Sequence, residues 1–392
     1  MFDHLQIYDW RERALVGCAD LLLNACAAVL RLAGRGKHAP PQRILVLRLE
    51  RIGDLLMTLG ALEAVRARAP GAKIHLVVGS WNEAIARLVP AVDSIETLDV
   101  PWLVRHGAGA SMRKLVSRAW SWRARGFDAA LNFEPDIRSN LLLALSGAPR
   151  RVGFSSAGGG AFLTTGLVYE PGHHTAANAL RVVDAALPSN DAIPSAGSFP
   201  RLAVPDTARQ EASRLLEHVD PSRPLVGLHA SGGREIKQWH MERFAEVATR
   251  LARELGAVIV LTGAAADRPL IDRITALLDP DVRVLDAAGS IEMPVFAALV
   301  ERLRLFVTCD TGPMHLAAAV GTQVVALFGP SDPARYGPLS DRAVVMTADL
   351  WCRPCNRVRR PPDRCCGRVP DCLSAIDAPA VLHAARELLK QA

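Results

Sequence analysis

Short aliphatic runs alternate with helical patterns twice along this 392-residue chain, and no other sequence feature restricts the fold as strongly. The first series begins with Arg43–Leu49 and ends with Val152–Phe154. The second series begins with Leu225–His229 and ends with Val324–Phe328. Strands that are separated by helices are typical of a parallel sheet covered on both faces. The sequence therefore predicts the α/β class, with two Rossmann-like domains facing a central cleft.

A proline-rich segment separates the two series. Residues 186–205 contain four prolines with serine and glycine between them, and this composition is typical of a linker. We therefore predict four parts. They are an N-terminal helix and linker at 1–40, Rossmann-like domains at 41–190 and 206–350, and a cysteine-rich loop with a final helix at 351–392.

The segment Ala14–Ala33 is nearly all apolar and is predicted to form an amphipathic helix. Its polar residues share one narrow stripe, which we expect to face water and lipid headgroups. An acidic residue at mid-span disfavours a helix that crosses a membrane. Two interpretations stay open: the helix lies in the membrane interface, or it docks on the protein's own core. The stripe consists of Arg13, Asp20, Asn24 and Arg31, the aliphatic face includes Leu15, Leu22, Val29 and Leu32, and the basic residues Arg35 and Lys37 follow.

Charge and cysteine content limit the partners and the compartment. The formal net charge of +6 is spread along the chain, which argues against nucleic-acid binding and fits an anionic substrate or membrane surface. Five of the eight cysteines crowd between Cys352 and Cys372, a pattern that favours a reduced compartment. A cleavable signal is not predicted because acidic residues occupy the start, where a cationic region is needed. We therefore expect a cytoplasmic protein.

The crowded cysteines also suggest a metal site. Cys352 and Cys355 form a Cys-x2-Cys pair, and Cys366 and Cys372 follow as a second pair. Four thiolates at this spacing are compatible with a structural zinc loop. Local disulfides or free thiols are the alternative, and the spacing alone does not decide between them.

Asp54 is the candidate for acid–base chemistry. It lies just after the first strand, near the start of the next helix, and ligands of open α/β sheets bind at the carboxyl ends of the strands. The positive end of the helix dipole stabilises a carboxylate there, so Asp54 could serve as a general base toward a hydroxyl group. An aspartate at this position is also a common helix cap, and spacing leaves both roles open.

Two turns in the second series predict an anion site. Ser231, Gly232 and Gly233 follow the strand Leu225–His229, and Lys237 comes next. Small residues allow backbone N–H groups to approach an anion, and the lysine could neutralise a diphosphate. The alternative is an ordinary strand–helix turn with a solvated lysine.

The second turn follows the strand Leu305–Thr308. Thr311 and Gly312 can begin the next helix while exposing N–H groups to a phosphate, and Asp310 precedes them directly after the strand. His315, taken alone, is more typical of a core or capping histidine than of a catalyst.

Together these segments resemble the family 9 glycosyltransferases, the ADP-heptose:lipopolysaccharide heptosyltransferases. The resemblance covers about residues 42–375 and rests on four motifs in order: RILVLRLERIGDLLMTLGAL, GLHASGGREIKQW, VTCDTGPMHLAAAVGTQVVALFGPSDPARYGP and WCRPC. It implies a GT-B fold, an inverting transfer and no cofactor for catalysis, so that a structural zinc is the one metal predicted.

The resemblance also implies roles for single residues. Asp54 matches the family's catalytic aspartate, and Lys237 matches its phosphate-binding lysine. The first domain then binds the acceptor, with Arg48 and Arg51 expected beside it, and the second binds the donor. The expected donor site consists of Ser231, Gly232, Gly233, Lys237, Asp310, Thr311, Gly312 and His315.

The implied reaction moves heptose from ADP-heptose to a lipid-linked oligosaccharide of the lipopolysaccharide core, at the inner face of the cytoplasmic membrane. Two alternatives have other consequences: a sugar-nucleotide epimerase on the same scaffold, and a non-catalytic module that only binds a sugar nucleotide. The presence of both Asp54 and Lys237 argues against the binding module.

Overall fold

The computed structural model describes residues 2, 5–7, 9–30, 40–104, 109–189, 199–289, 291–355, 365 and 371–390. The chain divides into two compact units, Met1–Ser198 and Phe199–Ala392. Arg31, Leu32, Arg35 and Lys37, which belong to the predicted N-terminal helix and its basic end, lie outside the described residues, as do residues 190–198 of the predicted linker and Cys366.

The first unit contains thirteen regular elements among its described residues. They are α1 (Trp10–Leu30), β1 (Arg43–Arg48), α2 (Ile52–Met57), α3 (Leu59–Arg68), β2 (Lys73–Val78), α4 (Glu83–Ala86), β3 (Ser94–Thr97), α5 (Met112–Ser121), β4 (Ala129–Asn132), α6 (Ile137–Leu145), β5 (Arg150–Phe154), β6 (Thr165–Leu167) and α7 (Thr175–Ala186). Short 3-10 turns lie at Ser80–Asn82, Trp122–Arg125 and Gly160–Phe162.

The second unit repeats this plan with its own sheet. Its elements are α8 (Asp206–Leu215), β7 (Leu225–His229), α9 (Met241–Leu255), β8 (Val258–Leu261), α10 (Arg268–Leu277), β9 (Val284–Asp286), α11 (Met293–Glu301), β10 (Leu305–Cys309), α12 (Gly312–Val320), β11 (Val324–Phe328), α13 (Pro333–Tyr336), β12 (Ala343–Thr347), α14 (Asp371–Ser374) and α15 (Ala378–Lys390). Short 3-10 turns lie at Glu235–Lys237 and Ala265–Asp267.

Both sheets are parallel and have the same topology. The strand orders are β3-β2-β1-β4-β5-β6 and β12-β11-β10-β7-β8-β9, so in each unit the order reverses beside the first strand. The reversal lies between β1 and β4 in the first unit and between β7 and β10 in the second. Ligands of open α/β sheets bind at the carboxyl ends of the strands at such a switch point. The predicted α/β class with two parallel sheets is confirmed.

Aliphatic side chains explain why these strands pair in the interior. In the first unit Leu45 and Leu47 pack in one cluster with Leu115 of α5 and Leu142 of α6. In the second unit all residues of β7, β10 and β11 are buried, as expected for central strands of a parallel sheet. Two edge strands, β6 and β12, were not among the predicted strands.

The apolar spacing of residues 55–68 predicts one helix, but the structure has two, α2 and α3. The break lies at Thr58, whose hydroxyl group donates a hydrogen bond to the carbonyl oxygen of Leu55 at 2.7 Å. This bond ends α2, and α3 begins at the next residue.

Helix α1 is docked on the first unit. The carboxylate of Asp20 accepts a hydrogen bond from the N–H group of Gly159 at 2.8 Å, and Val16 lies against Gly158. The prediction that Asp20 faces water and headgroups is therefore wrong: a backbone donor in the β5–β6 connection binds its carboxylate instead. Among the described helices, none combines the length and the apolar character that crossing a membrane requires.

Candidate active site

Asp54 lies at the switch point of the first unit. It is in the first turn of α2, directly beyond β1, and its Oδ2 accepts the N–H group of Arg51 at 3.0 Å. Arg51 and not Asp54 occupies the capping position, and Asp54 supports the helix start from three residues later by this bond. The side chain of Asp54 is still 23% exposed, so this bond does not remove the carboxylate from reach of a ligand.

A buried arginine fixes the surroundings of Asp54. The guanidinium of Arg48 donates to the carbonyl oxygen of Asp54 at 3.1 Å and to Glu50 Oε2 at 2.7 Å. Its Nη2 lies 3.6 Å from Asp54 Oδ1. Burial alone would lower the pKa of Arg48, but the carboxylates of Glu50, Asp54 and Glu134 raise it, so that the arginine stays charged. The cation therefore sits permanently beside the candidate base.

Glu134 holds the turn that carries Asp54, and sequence reasoning did not identify it. It follows β4, and its Oε1 accepts the N–H groups of Leu49 and Glu50, the second at 3.1 Å. Its Oε2 accepts the hydroxyl group of Ser139 at 2.8 Å. Burial raises the pKa of Glu134. The available signal was positional, because a carboxylate directly after β4 lies at the same sheet edge as Asp54.

The same turn is held from its other side. Trp81 Nε1 and Asn82 Nδ2 both donate to the carbonyl oxygen of Glu50, at 2.7 and 2.8 Å. The N–H groups of Leu49 and Glu50 and the carbonyl oxygen of Glu50 are thus all hydrogen-bonded to side chains from other segments. This arrangement fixes the turn before any substrate is present.

The two arginines expected beside the acceptor differ in position. Arg48 is fully buried, so its contacts fit the support of Asp54 rather than contact with an acceptor. Arg51 is half-buried, and its guanidinium lies 5.3 Å from the centre of the Trp81 ring. Of these two arginines, Arg51 is thus the one within reach of a ligand.

Lys237 and Asp310 meet at the switch point of the second unit. Lys237 ends the 3-10 turn that follows β7, and Asp310 comes directly after β10. The ammonium group of Lys237 lies 2.5 Å from Asp310 Oδ2, and both side chains are largely buried. The sequence predicted both residues at this edge of the sheet, and the structure brings them into direct contact.

Glycines close the loop that carries Lys237. A side chain at Gly232 would place its Cβ 2.9 Å from the backbone of Lys237, which is too close for any other residue. Gly233 has a φ of +63°, a conformation that glycine adopts without strain. Ser231 is buried at the start of the loop. Gly232 and Gly233 therefore serve the tight fold of the loop.

The N-terminus of α12 lies beside the lysine–carboxylate pair. Thr311 occupies the capping position, but its hydroxyl group lies 3.2 Å from that of Thr308 and does not cap the helix. In the described part of the chain, the side chain of Thr311 accepts no hydrogen bond from the N–H groups of the first helical turn, which begins at Gly312. Free N–H groups at a helix start attract anions. His315 is buried in this helix.

Two further groups near this switch point are held uncharged. Burial lowers the pKa of His229 to about 4, and its Nδ1 lies 3.0 Å from the hydroxyl group of Thr262. Burial raises the pKa of Cys309 to about 12, so its thiol is not a nucleophile at neutral pH. The chemistry of this site therefore depends on Lys237, Asp310 and backbone groups.

The cysteine-rich segment shows no metal site within the described residues. Cys352, Cys355, Cys365 and Cys372 are free thiols, and no group of three or more His, Cys, Asp or Glu residues in the described ranges could hold a metal ion. The predicted set also requires Cys366, which lies outside those ranges. The structural zinc at Cys352, Cys355, Cys366 and Cys372 stays a prediction.

Comparison with known proteins gives a consistent result. The family model "Glycosyltransferase family 9 (heptosyltransferase)" matches residues 117–363. The chain is 27% identical over 329 residues to lipopolysaccharide heptosyltransferase 2 of Escherichia coli strain K12, covering 78% of this chain and 87% of the relative.

Solved structures show the same fold. A family 9 glycosyl transferase from Veillonella parvula has a TM-score of 0.77 at 24% identity and covers 91% of this chain and 100% of its own. An Escherichia coli heptosyltransferase with ADP-2-deoxy-2-fluoro heptose has a TM-score of 0.62 at 20% identity, covering 88% of this chain and 99% of its own. Both folds extend over nearly all of this chain.

Proposed function

The chain belongs to glycosyltransferase family 9, and we propose that it transfers heptose from ADP-heptose to a sugar of the lipopolysaccharide core. It is therefore an enzyme with a fold of the GT-B type. The observation that carries the proposal is the family match across residues 117–363. A relative named as a lipopolysaccharide heptosyltransferase supports the acceptor, and a fold relative bound to an ADP-heptose analogue supports the donor.

Asp54 is the general base in this proposal. Its carboxylate removes the proton of the acceptor hydroxyl group while the hydroxyl oxygen bonds to the anomeric carbon of the heptose. The bond from that carbon to the diphosphate breaks on the opposite side, so the configuration inverts and ADP leaves. Two groups support this role, because they orient a carboxylate that is still partly exposed. They are the N–H group of Arg51 and the guanidinium of Arg48.

Lys237 and the start of α12 receive the leaving ADP. A diphosphate would compete with Asp310 for the ammonium group of Lys237, and the N–H groups that follow Thr311 would face the phosphate oxygens. Fixed donors that face the developing negative charge stabilise the transition state. We propose that these groups supply the positive charge that a divalent metal ion supplies in other enzymes.

The proposal is tested by product analysis. The full chain is incubated with ADP-heptose and a truncated lipopolysaccharide, and we expect release of ADP together with an extended acceptor, in excess EDTA as well. An isomerised donor without extension would indicate an epimerase instead. Donor binding with neither product would indicate a binding module. Loss of turnover in EDTA that Mg²⁺ restores would contradict the metal-free step.

We also propose that the enzyme works at the cytoplasmic surface of the inner membrane and that α1 contributes to its attachment. Leu15, Leu21 and Leu22 of α1 are 74%, 60% and 71% exposed, while Val16 and Asp20 face the first unit. Apolar residues on the outer side of a docked helix can enter the headgroup–acyl boundary without leaving the fold. In this proposal α1 therefore both docks on the first unit and contacts the membrane.

A double substitution tests this attachment better than a deletion, because α1 is part of the first unit. We expect Leu15→Ser with Leu22→Ser to lower binding to lipid vesicles and to preserve thermal stability. The matched control is Leu215→Ser with Leu277→Ser, which removes two exposed leucines from helices of the second unit. Equal vesicle binding by the α1 variant and the wild-type protein would contradict a role for α1.

A further inference from the structure

Helix α5 carries an apolar stripe that faces solvent. Its buried side chains are Leu115 and Ala119. Met112, Val116 and Trp120 are spaced by four residues, so they lie along one side of the helix, and they are 49%, 38% and 55% exposed. Large apolar side chains in a row on a surface mark a contact with another molecule or with a membrane.

The charged residues of α5 and of the turn after it all have one sign. Residues 112–125 contain five basic residues and no acidic residue. Arg118 and Arg125 form ion pairs with Glu96, which lies on β3. Within the described ranges, neither Arg113 nor Lys114 pairs with a carboxylate. Arg113 and Arg123 therefore leave two positive charges beside the apolar stripe, while Lys114 lies on another side of the helix.

The buried Glu96 holds α5 in this orientation. Its carboxylate accepts hydrogen bonds from Arg118 Nε and, at 3.0 Å, from Trp122 Nε1. His75 of β2 lies 3.2 Å from the same carboxylate. These bonds join the helix to the edge of the sheet, so the outward position of the stripe is a fixed feature of the fold.

Trp120 also has a cation on its ring. The guanidinium of Arg123 lies 3.9 Å from the ring centre, and Arg123 Nε donates to the carbonyl oxygen of Leu145. An aromatic ring with an adjacent cation suits the membrane interface, where the ring meets acyl chains and the cation meets phosphate groups. A protein partner of this face would have to supply several carboxylates.

We propose that this α5 face, formed by Met112, Arg113, Val116, Trp120 and Arg123, binds the surface of an anionic lipid bilayer. The three apolar side chains enter the headgroup–acyl boundary, and the two cations pair with lipid phosphates. Charge complementarity selects the bilayer, because the face has positive charges only. The inference rests on the proposed function in one respect, that a lipid-linked acceptor brings the enzyme to a bilayer.

The experiment measures co-sedimentation of the full chain with phosphatidylcholine vesicles that contain either no phosphatidylglycerol or a large fraction of it. We expect binding to the anionic vesicles and a loss of binding when salt is raised. Arg113→Gln with Arg123→Gln should weaken binding about fivefold for each charge removed. Val116→Ser with Trp120→Ser should weaken binding to the anionic vesicles at all salt concentrations.

Matched controls separate this face from general surface effects. Arg250→Gln with Arg253→Gln removes two exposed charges from α9 of the second unit, and we expect it to bind vesicles like the wild-type protein. Equal binding by the α5 variants and the wild-type protein would overturn the inference. A wild-type dimer that Trp120→Ser converts to a monomer would also overturn it, because the face would then join two copies of the chain.

A second readout distinguishes this inference from the proposed function. Turnover is measured on an acceptor dispersed in detergent, where no bilayer is present. We expect the α5 variants to retain wild-type turnover there and to lose it in part on vesicle-embedded acceptor. Absence of heptosyl transfer by the wild-type protein would contradict the proposed function, whereas vesicle binding would still support the α5 face.

Discussion

In the first unit Asp54 lies among contacts that fix its position, whereas in the second unit Lys237 is held by one carboxylate that a ligand can replace. Arg48 and Glu134 bind the turn before Asp54 from inside the unit, and Trp81 binds it from another side. Within the described residues, the Lys237–Asp310 pair has no such support from several segments: a glycine loop and an uncapped helix start lie beside it.

This difference fits the two tasks of a transferase. A general base must keep one distance to the hydroxyl group, because a misplacement of about 1 Å can cost 100-fold in rate. A donor site must instead bind a diphosphate and release it. An internal ion pair keeps Lys237 and Asp310 neutralised between turnovers, since a buried charge without a partner destabilises the fold.

The largest effect we expect comes from Asp54→Asn. The amide oxygen can still accept the N–H group of Arg51, so the support of the helix start is preserved while the base is lost. We expect kcat to fall by about 10²–10⁴-fold and the affinity for ADP to stay unchanged. Asp99→Asn is the matched control, because Asp99 also accepts a backbone N–H group in the first unit. Activity within a few-fold of wild type would eliminate Asp54 as the base.

Lys237→Ala should be nearly as damaging but in a different way. The variant loses the cation for the diphosphate, so donor affinity and kcat should both fall, the latter by about 10²–10³-fold. It also leaves Asp310 buried without its partner, which lowers the free energy of unfolding.

The double variant Lys237→Met with Asp310→Asn separates these two losses. It removes both charges, so we expect its melting temperature to exceed that of Lys237→Ala while its turnover stays low. A melting temperature equal to that of the single variant would mean that the ion pair does not matter to stability.

Substitution of Glu134 should have a smaller effect on kcat, because this residue only positions the turn before Asp54. Glu134→Ala leaves the N–H groups of Leu49 and Glu50 without an acceptor, at a cost of about 1–3 kcal/mol of stability for each. We expect kcat to fall by about tenfold to 100-fold, with unchanged affinity for ADP. Glu134→Gln keeps an oxygen for both donors and should recover most of the loss. No recovery by the glutamine variant would argue against a positioning role.

Sequence patterns predicted the central strands best. The runs Lys73–Val78, Leu225–His229 and Val324–Phe328 each predict a strand from sequence alone. They agree with β2, β7 and β11, because strands buried on both faces are continuous aliphatic runs. The edge strand β6 contains three residues, Thr165–Leu167, which are too few to show a run. Edge strands are partly exposed to solvent, so they do not need a continuous run of hydrophobic residues.

The candidate sites could be predicted only in part. Asp54, Lys237 and Asp310 lie in the segments that run from the end of a strand into the first turn of the next α-helix, so position along the chain was enough to find them. The role of Glu134 depends on a turn that lies 84 and 85 residues earlier in the chain, and no local pattern records that contact. Asp20 shows the same limit, because helical spacing tells which residues share a side but not which side meets the protein.

The smallest effect we expect is a difference in acid stability between the two units. Burial lowers the pKa of His229, in the second unit, from 6.5 to about 4. In the first unit burial alone would raise the pKa of Glu96, but hydrogen bonds from His75, Arg118 and Trp122 lower it from 4.5 to about 2. The neutral histidine and the charged glutamate are therefore the forms that stabilise each fold.

The two groups lose their contributions in different pH windows. The His229 contribution is complete above pH 6.5 and declines as the pH falls toward 4, because the unfolded chain then binds a proton that the fold excludes. The Glu96 contribution is complete above pH 4.5 and declines toward pH 2. Unfolding by urea is measured from pH 7 to pH 3, and His229→Gln should flatten the curve between pH 6.5 and 4. Glu96→Gln should lower stability at pH 7 and leave the slope in that window unchanged, so parallel curves for all three proteins would contradict both assignments.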